Sequence, residues 1–232
     1  MTRIRKTIGG LPVIGKLAKR MQHYLQGSFP GSQVYWEQRY AEGDTSGSGS
    51  HGRLAEFKAQ VLNSFVRENG IESVVEFGCG DGFQLSMASY PKYIGLDVSA
   101  TAIKLCKDKF SNDPTKSFFL YDSLCFVDSA DIFVADLSLS LDVIFHLTED
   151  QIFDNYMHHL FNASKKYTMI YSSNYDARQS YHVRQREFTK WIDTHRREWS
   201  LVKKIDNPFK FDGKDPENTS HSDFYLYQRV SK

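Results

Sequence analysis

The chain has 232 residues, 41% of them hydrophobic, and a formal charge of +1, which is enough material for one large α/β core and too little positive charge for a dedicated nucleic-acid binder. Its three cysteines, Cys79, Cys106 and Cys125, are odd in number and show no paired spacing, which points to a reducing compartment and away from zinc. No run is long enough for a transmembrane helix and no secretory leader is visible, so a cytoplasmic protein is expected, soluble or peripheral at the inner membrane face.

Residues 1–36 carry Arg3, Arg5, Lys6, Lys16, Lys19 and Arg20 and no acid, leaving the rest of the chain at −5. Within them Ile14, Leu17, Met21, Tyr24 and Leu25 recur at helical spacing, with Lys16, Lys19, Arg20 and His23 elsewhere on the wheel. Two readings stand side by side: a helix on an anionic membrane through residues 1–26, or a helix docked on protein. Residues 1–34 are therefore set apart as a basic helix and linker, and residues 35–232 as the main domain.

An aromatic helix, Tyr35-Trp36-Glu37-Gln38-Arg39-Tyr40, precedes a Gly/Ser-rich run over 43–52, placed as a lid between it and a helix over 54–69 with Leu54, Phe57, Val61 and Phe65 inward. A buried parallel strand runs from Val74 into Gly78, Gly80 and Gly82. A helix over 83–88 and a second strand, 93–97, follow. Ser99 caps a helix through 110, and Phe118-Phe119-Leu120 is a third strand. Residues 124–136 read as irregular. Thr148 with Glu149, Asp150 and Gln151 makes a capping box for a helix to about 161. Strands over 167–172, 199–205 and 224–230 and a helix over 187–195 complete the chain, with a long loop at 207–222.

The glycine spacing separates two cofactor classes. A dinucleotide site needs G-x-G-x-x-G, whereas Glu76-x-Gly78-x-Gly80-x-Gly82, with Asp97 21 residues beyond Glu76, resembles motif I of the class I S-adenosylmethionine (SAM) dependent methyltransferases. Leu139-Ser140-Leu141-Asp142-Val143-Ile144-Phe145-His146-Leu147 is similar to the family's strand 4 segment. The resemblance implies a Rossmann-like three-layer α/β sandwich with a seven-stranded, mostly parallel sheet of order 3-2-1-4-5-7-6 and an antiparallel strand 7. It implies that Glu76, Gly78, Cys79, Gly80 and Gly82 hold the methionine half of SAM, that Asp97 holds the ribose and that Val98 packs on the adenine. Asp122 and Ser123 would reach the adenine amine, Asp142 would sit beneath the methyl donor, and Tyr35 and Arg39 would be candidates for the methionine carboxylate. Cys79 reads as a small loop filler, not a nucleophile.

Ligands of open α/β sheets lie at the carboxyl ends of the strands. That rule collects Asp142 and His146 after strand 4, Asn174 after strand 5, then Tyr181, His182, Arg184 and Arg186. His146 is the first candidate for a general base and His182 the second; a structural role for His146 stays open. His182, Arg184 and Arg186 alternate, so in an extended segment they share a face suited to a phosphate or carboxylate; a solvated charged face is the alternative, favoured for Arg186. The whole pattern is similar to bacterial methyltransferases of glycan and cell-surface polysaccharide synthesis, which implies an O-methylated sugar or sugar-linked acceptor. Another small molecule, a nucleic acid, or a non-catalytic partner protein are the alternatives. No metal is expected, and the sequence leaves the oligomeric state open.

Overall fold

The structure, a computed structural model, describes residues 29–230. The basic helix expected within residues 1–26, and the membrane contact assigned to it, lie outside the described residues. The compact unit that carries the site begins at Gly31.

Seven strands form one sheet: β1 (Val74–Phe77), β2 (Tyr93–Asp97), β3 (Lys116–Leu120), β4 (Ala135–Leu141), β5 (Ser164–Ser172) and two late strands that become β8 (Trp199–Ile205) and β9 (Asp223–Arg229) because a separate hairpin, β6 (Ala177–Ser180) and β7 (Val183–Gln185), precedes them. The order is β3-β2-β1-β4-β5-β9-β8. The first five strands are parallel, and β9 runs antiparallel to both β5 and β8. Counted without the hairpin, this is the 3-2-1-4-5-7-6 sheet the resemblance implies.

The central strands read as continuous apolar runs because both faces are covered. Every residue of β1 and β4 is buried. One core joins Val75, Phe77, Leu96 and Ile170 to Met157 and Leu160 of α4 (Asp150–Asn162) and Ile192 of α5 (Phe188–His195). The other joins Val74, Leu137, Leu139 and Met169 to Leu62 and Val66 of α2 (Gly52–Glu68) and Ile103 and Cys106 of α3 (Ala100–Lys109). The remaining helix, α1 (Ser32–Ala41), comes from the aromatic segment. Several polar groups inside the sheet are paired, as the low dielectric favours: Ser138 Oγ donates to Thr168 Oγ1, and Tyr156 Oη donates to the Phe77 carbonyl and pairs with Ser140 Oγ at 2.7 Å.

Three local expectations are corrected and one hairpin is added. The helix expected over 83–88 is a single 3-10 turn, Gln84–Met87, and the chain is already extended at Ala88. The buried row of α2 is Leu54, Lys58, Leu62 and Val66, with Ala55 and Ala59; Phe57, Val61 and Phe65 are partly buried beside it. Thr148 does not cap α4. Glu149 occupies the cap position without a side-chain cap bond, because its carboxylate accepts from the Ser32 N–H (3.0 Å) and Oγ–H (2.8 Å) and so anchors α1. The β6–β7 hairpin went unread because no glycine or asparagine marks its turn.

Candidate functional site

At the carboxyl end of β1 the chain enters the glycine loop. Gly78 (φ 86°) and Gly80 (φ 59°) lie in the left-handed region, and both are close approaches. A Cβ on Gly78 would overlap Val143 Cγ2, and one on Gly80 would overlap Ser46 Oγ and stand 3.0 Å from Tyr40 Oη. Gly82 packs on Phe110 and Cys106 of the α3 region. Cys79 is buried, and contact with Cys106 together with burial holds its thiol well above the usual range, which suits a loop filler. Cys106 Sγ–H donates to the Gly80 carbonyl at 3.1 Å.

Two buried carboxylates flank this loop. Glu76 accepts from Tyr93 Oη–H at 2.6 Å, and Asp97 accepts from the Gly80 N–H and the Ser99 N–H, both at 2.9 Å. Desolvation dominates each: it lifts the Glu76 carboxyl to about 7, against the Tyr93 bond and the Lys58 charge, and Asp97 to about 6, against its backbone N–H bonds. Ser99 Oγ caps α3 by accepting from the Ala102 N–H, as expected, and its own hydroxyl donates to Glu37. Glu37 also takes the Thr101 hydroxyl (2.6 Å) and N–H (3.2 Å), fixing α1 beside the end of β2. Val98 packs partly buried on the first core. Asp122 closes the turn after β3 by accepting from the Leu124 N–H, and the carbonyl of buried Ser123 accepts from Asn155 Nδ2–H.

The Gly/Ser run lies on the glycine loop. The Ser46 N–H donates to Asp81 Oδ2, the Asp81 N–H donates to Ser46 Oγ, and Tyr40 Oη pairs with Ser46 Oγ at 3.0 Å. Arg39, a candidate for the methionine carboxylate, donates its Nε–H to the Thr45 carbonyl at 2.8 Å with its guanidinium over the Trp36 ring, so it also shapes this cover. Tyr35 stacks on His182 with ring centroids 4.8 Å apart. Two shielded polar atoms near this cover have no protein partner, His51 Nε2 and Gln84 Oε1. A left-handed glycine turn at Gly78 and Gly80, two buried carboxylates and unpaired polar atoms fit a polar, nucleoside-bearing cofactor.

Beyond β4, Asp142 (φ 58°) pairs with Lys58 Nζ at 2.8 Å and accepts from Ser222 Oγ–H at 3.0 Å. His146 follows in a single 3-10 turn, Ile144–His146, its Nδ1 3.3 Å from the His182 carbonyl. Its ring lies edge-on to Trp36 and parallel to His182. Desolvation, with the neighbouring His182 and Arg39 charges, pushes its conjugate acid down to about 3, so the ring is neutral. Tyr181 is exposed at the hairpin tip and packs edge-on against Tyr35.

Of the face expected of His182, Arg184 and Arg186, the two arginines turn the same way, onto the start of α4, where they share Asp150. Arg184 reaches the Thr148 carbonyl and Asp150, and Arg186 reaches the Leu147 and Thr148 carbonyls and Asp150 while lying over Phe153. Arg186 is buried, not solvated. Asn174 spends its amide on Thr189, which starts α5. Among the described residues no group of three His, Cys, Asp or Glu is placed to hold a metal, and no helix is long and apolar enough to cross a membrane. Sequence reasoning missed Lys58, Glu37, Tyr40, Ser46 and Ser222. Of these Lys58 had a signal, its place in the Leu54–Leu62–Val66 row.

The sheet order and the glycine loop with its two acids define the class: this is the fold of class I SAM-dependent methyltransferases. No family model matches the chain. The N-methyltransferase NodS of Bradyrhizobium japonicum WM9, solved with S-adenosylhomocysteine (SAH), superposes on 87% of this chain and 100% of its own with a TM-score of 0.68 at 17% identity. Magnesium protoporphyrin IX methyltransferase (ChlM) of Synechocystis PCC 6803, with bound SAM, covers 88% of this chain and 100% of its own with a TM-score of 0.61 at 13% identity. Among curated proteins, the small RNA 2'-O-methyltransferase of Arabidopsis thaliana is 31% identical over 109 residues, 42% of this chain; the match spans 12% of that protein's length.

Proposed function

We propose that the chain is a SAM-dependent methyltransferase acting on an uncharged, hydroxyl-rich acceptor, a sugar or sugar-linked molecule. The observation that carries the cofactor reading is Asp97, a buried carboxylate at the end of β2 fixed by the Gly80 N–H beside a second buried carboxylate, Glu76. In this reading Asp97 takes the ribose hydroxyls, Glu76, Gly78 and Gly80 the methionine half, and Val98, Asp122 and Ser123 the base. When bound, SAM supplies a methyl group on a sulfonium, open to direct displacement.

Support for an uncharged acceptor comes from Arg184 and Arg186, which both turn onto the start of α4 and share the Asp150 carboxylate and the Thr148 carbonyl. The chain's formal charge of +1 gives no overall basic excess, which disfavours a nucleic-acid backbone. A second reading, methylation of an RNA ribose, is favoured by the small-RNA relative; it too targets a sugar hydroxyl. Transfer from labelled SAM into separated polysaccharide, lipid and RNA fractions decides between them: label in the RNA fraction alone overturns the glycan reading. Peripheral contact with an anionic membrane through residues 1–26 belongs to the same proposal. Its check is flotation with anionic vesicles, lost on deletion of those residues.

For a hydroxyl acceptor the base works best near the operating pH. His146, held near 3, is a poor proton store, so we assign that role to His182, whose ring lies against Tyr35 and whose Nδ1 is 3.3 Å from Ser180 Oγ. His182→Ala should lower kcat by ~10²–10⁴ at unchanged SAH affinity, while His146→Ala should mainly raise the acceptor KM. The reverse pattern in steady-state kinetics would exchange the two roles.

A further inference from the structure

Lys58 is 1% exposed, in the middle of an otherwise apolar row of α2. Its Nζ lies 2.8 Å from Asp142 Oδ2 and 5.3 Å from the centre of the Tyr171 ring. A buried lysine with a single carboxylate partner is a poor stabilising device, because desolvation offsets most of the attraction and an apolar pair of similar volume serves the core as well. The residue it holds is unusual in its turn. Asp142 has left-handed backbone without being glycine, a conformation kept only where surroundings over-determine it. Here they do: the Asp142 N–H donates to the Tyr171 carbonyl, Oδ2 takes Lys58 and Oδ1 takes Ser222 Oγ–H.

The held carboxylate stands where three parts of the site meet. A Cβ on Gly49 of the lid would be 3.0 Å from Asp142 Oδ2, and Val143, the next residue, fills the space against Gly78. The Lys58 charge also reaches Glu76. We propose that Lys58 is a positioning residue of the cofactor site: through Asp142 it fixes a carboxylate at the seam of lid and glycine loop, where it recognises the ammonium group of the cofactor's amino-acid half. This rests on the SAM reading above. Each Asp142 oxygen, having accepted one donor, keeps a lone pair for a second.

Two probes separate this from a purely structural role: SAH, which carries the amino-acid half, and 5'-methylthioadenosine, which lacks it. By calorimetry, Lys58→Met should weaken SAH about tenfold or more and leave methylthioadenosine at its wild-type affinity. In Lys58→Met/Asp142→Asn the uncompensated charge is gone, so the melting temperature should recover while SAH binding stays weak. Ser222→Ala removes the other tether without touching the ion pair and should show the same selective loss, about threefold to tenfold; it serves if Lys58→Met does not fold. Equal loss of both ligands, or SAH affinity unchanged in both Lys58→Met and Ser222→Ala, overturns the proposal. Wild-type protein binding neither ligand would instead refute the SAM reading.

Discussion

Gly80→Ala should abolish SAH binding at concentrations that saturate the wild type while lowering the melting temperature by only a few degrees. The methyl group would overlap Ser46 Oγ and crowd Tyr40 Oη, and alanine at φ 59° adds strain of about 1 kcal/mol. Ser46 sits in the lid, so the fold can yield there; a cofactor pressed against the loop cannot. The double variant Gly80→Ala/Ser46→Gly removes the clash with the lid and should not restore binding. Gly213→Ala, with no atom near its Cβ and ordinary backbone, is the neutral control. SAH binding by Gly80→Ala at wild-type affinity would place the cofactor elsewhere.

Gly78→Ala is expected to be worse for the fold, because the atom in the way is Val143, which packs on the first core directly after β4. A clash there is relieved only by moving the end of a central strand. The two glycines thus report on different things: Gly80 on the space above the loop, Gly78 on the seam between β1 and the segment after β4.

How far the sequence reached follows from which interactions are local. β1, β2 and the acids Glu76 and Asp97 were legible because a buried parallel strand is a continuous apolar run and its exit turn needs glycine. β8 was legible to the residue, Trp199–Ile205, although it is an edge strand with most side chains exposed. What stayed hidden depends on partners far away in the chain. Ser32 takes Glu149 across 117 positions, which removes the acid from its capping box. Lys58 takes Asp142 across 84, which turns a residue that polarity rules send to solvent into a core residue. Arg184 and Arg186 have the alternation of an anion-binding face, and only the meeting of β7 with the start of α4 shows both engaged by Asp150. Cover and acceptor side are likewise joined through α1, whose Glu37 holds the start of α3 while Trp36 meets His146.

The two raised carboxyl groups make the largest pH-dependent prediction. Glu76 is lifted from 4.5 to about 7 and Asp97 from 3.8 to about 6, each chiefly by desolvation. Because the folded values lie above the unfolded ones, the folded protein binds more protons between them, and stability falls as pH rises through that window. At about 1.4 kcal/mol per pH unit, ionising each group costs the ligand-free fold on the order of 3 kcal/mol. Groups held low, among them Asp136 with Lys166 and Asp223 with Lys210, act in the opposite sense: their stabilisation is present above the ordinary carboxylate range and is lost as pH falls below it. The ligand-free protein should therefore melt highest near pH 5 and lose stability as pH rises to about 7, above which both groups are ionised. A cofactor that brings hydroxyl donors to Asp97 and a positive charge near Glu76 favours their ionised forms. SAH binding near pH 6 should then release up to about 1.4 protons, about 0.9 from Glu76 and about 0.5 from Asp97, and tighten as pH rises, by at most about tenfold per pH unit for each proton released. Calorimetry in buffers of different ionisation enthalpy measures that release. Glu76→Gln should raise the ligand-free melting temperature at pH 8 and remove about two thirds of the proton release at pH 6, while weakening SAH. A melting temperature flat from pH 5 to 8, with no protons released on binding, would mean that the two carboxylates are not the charged floor of the cofactor site.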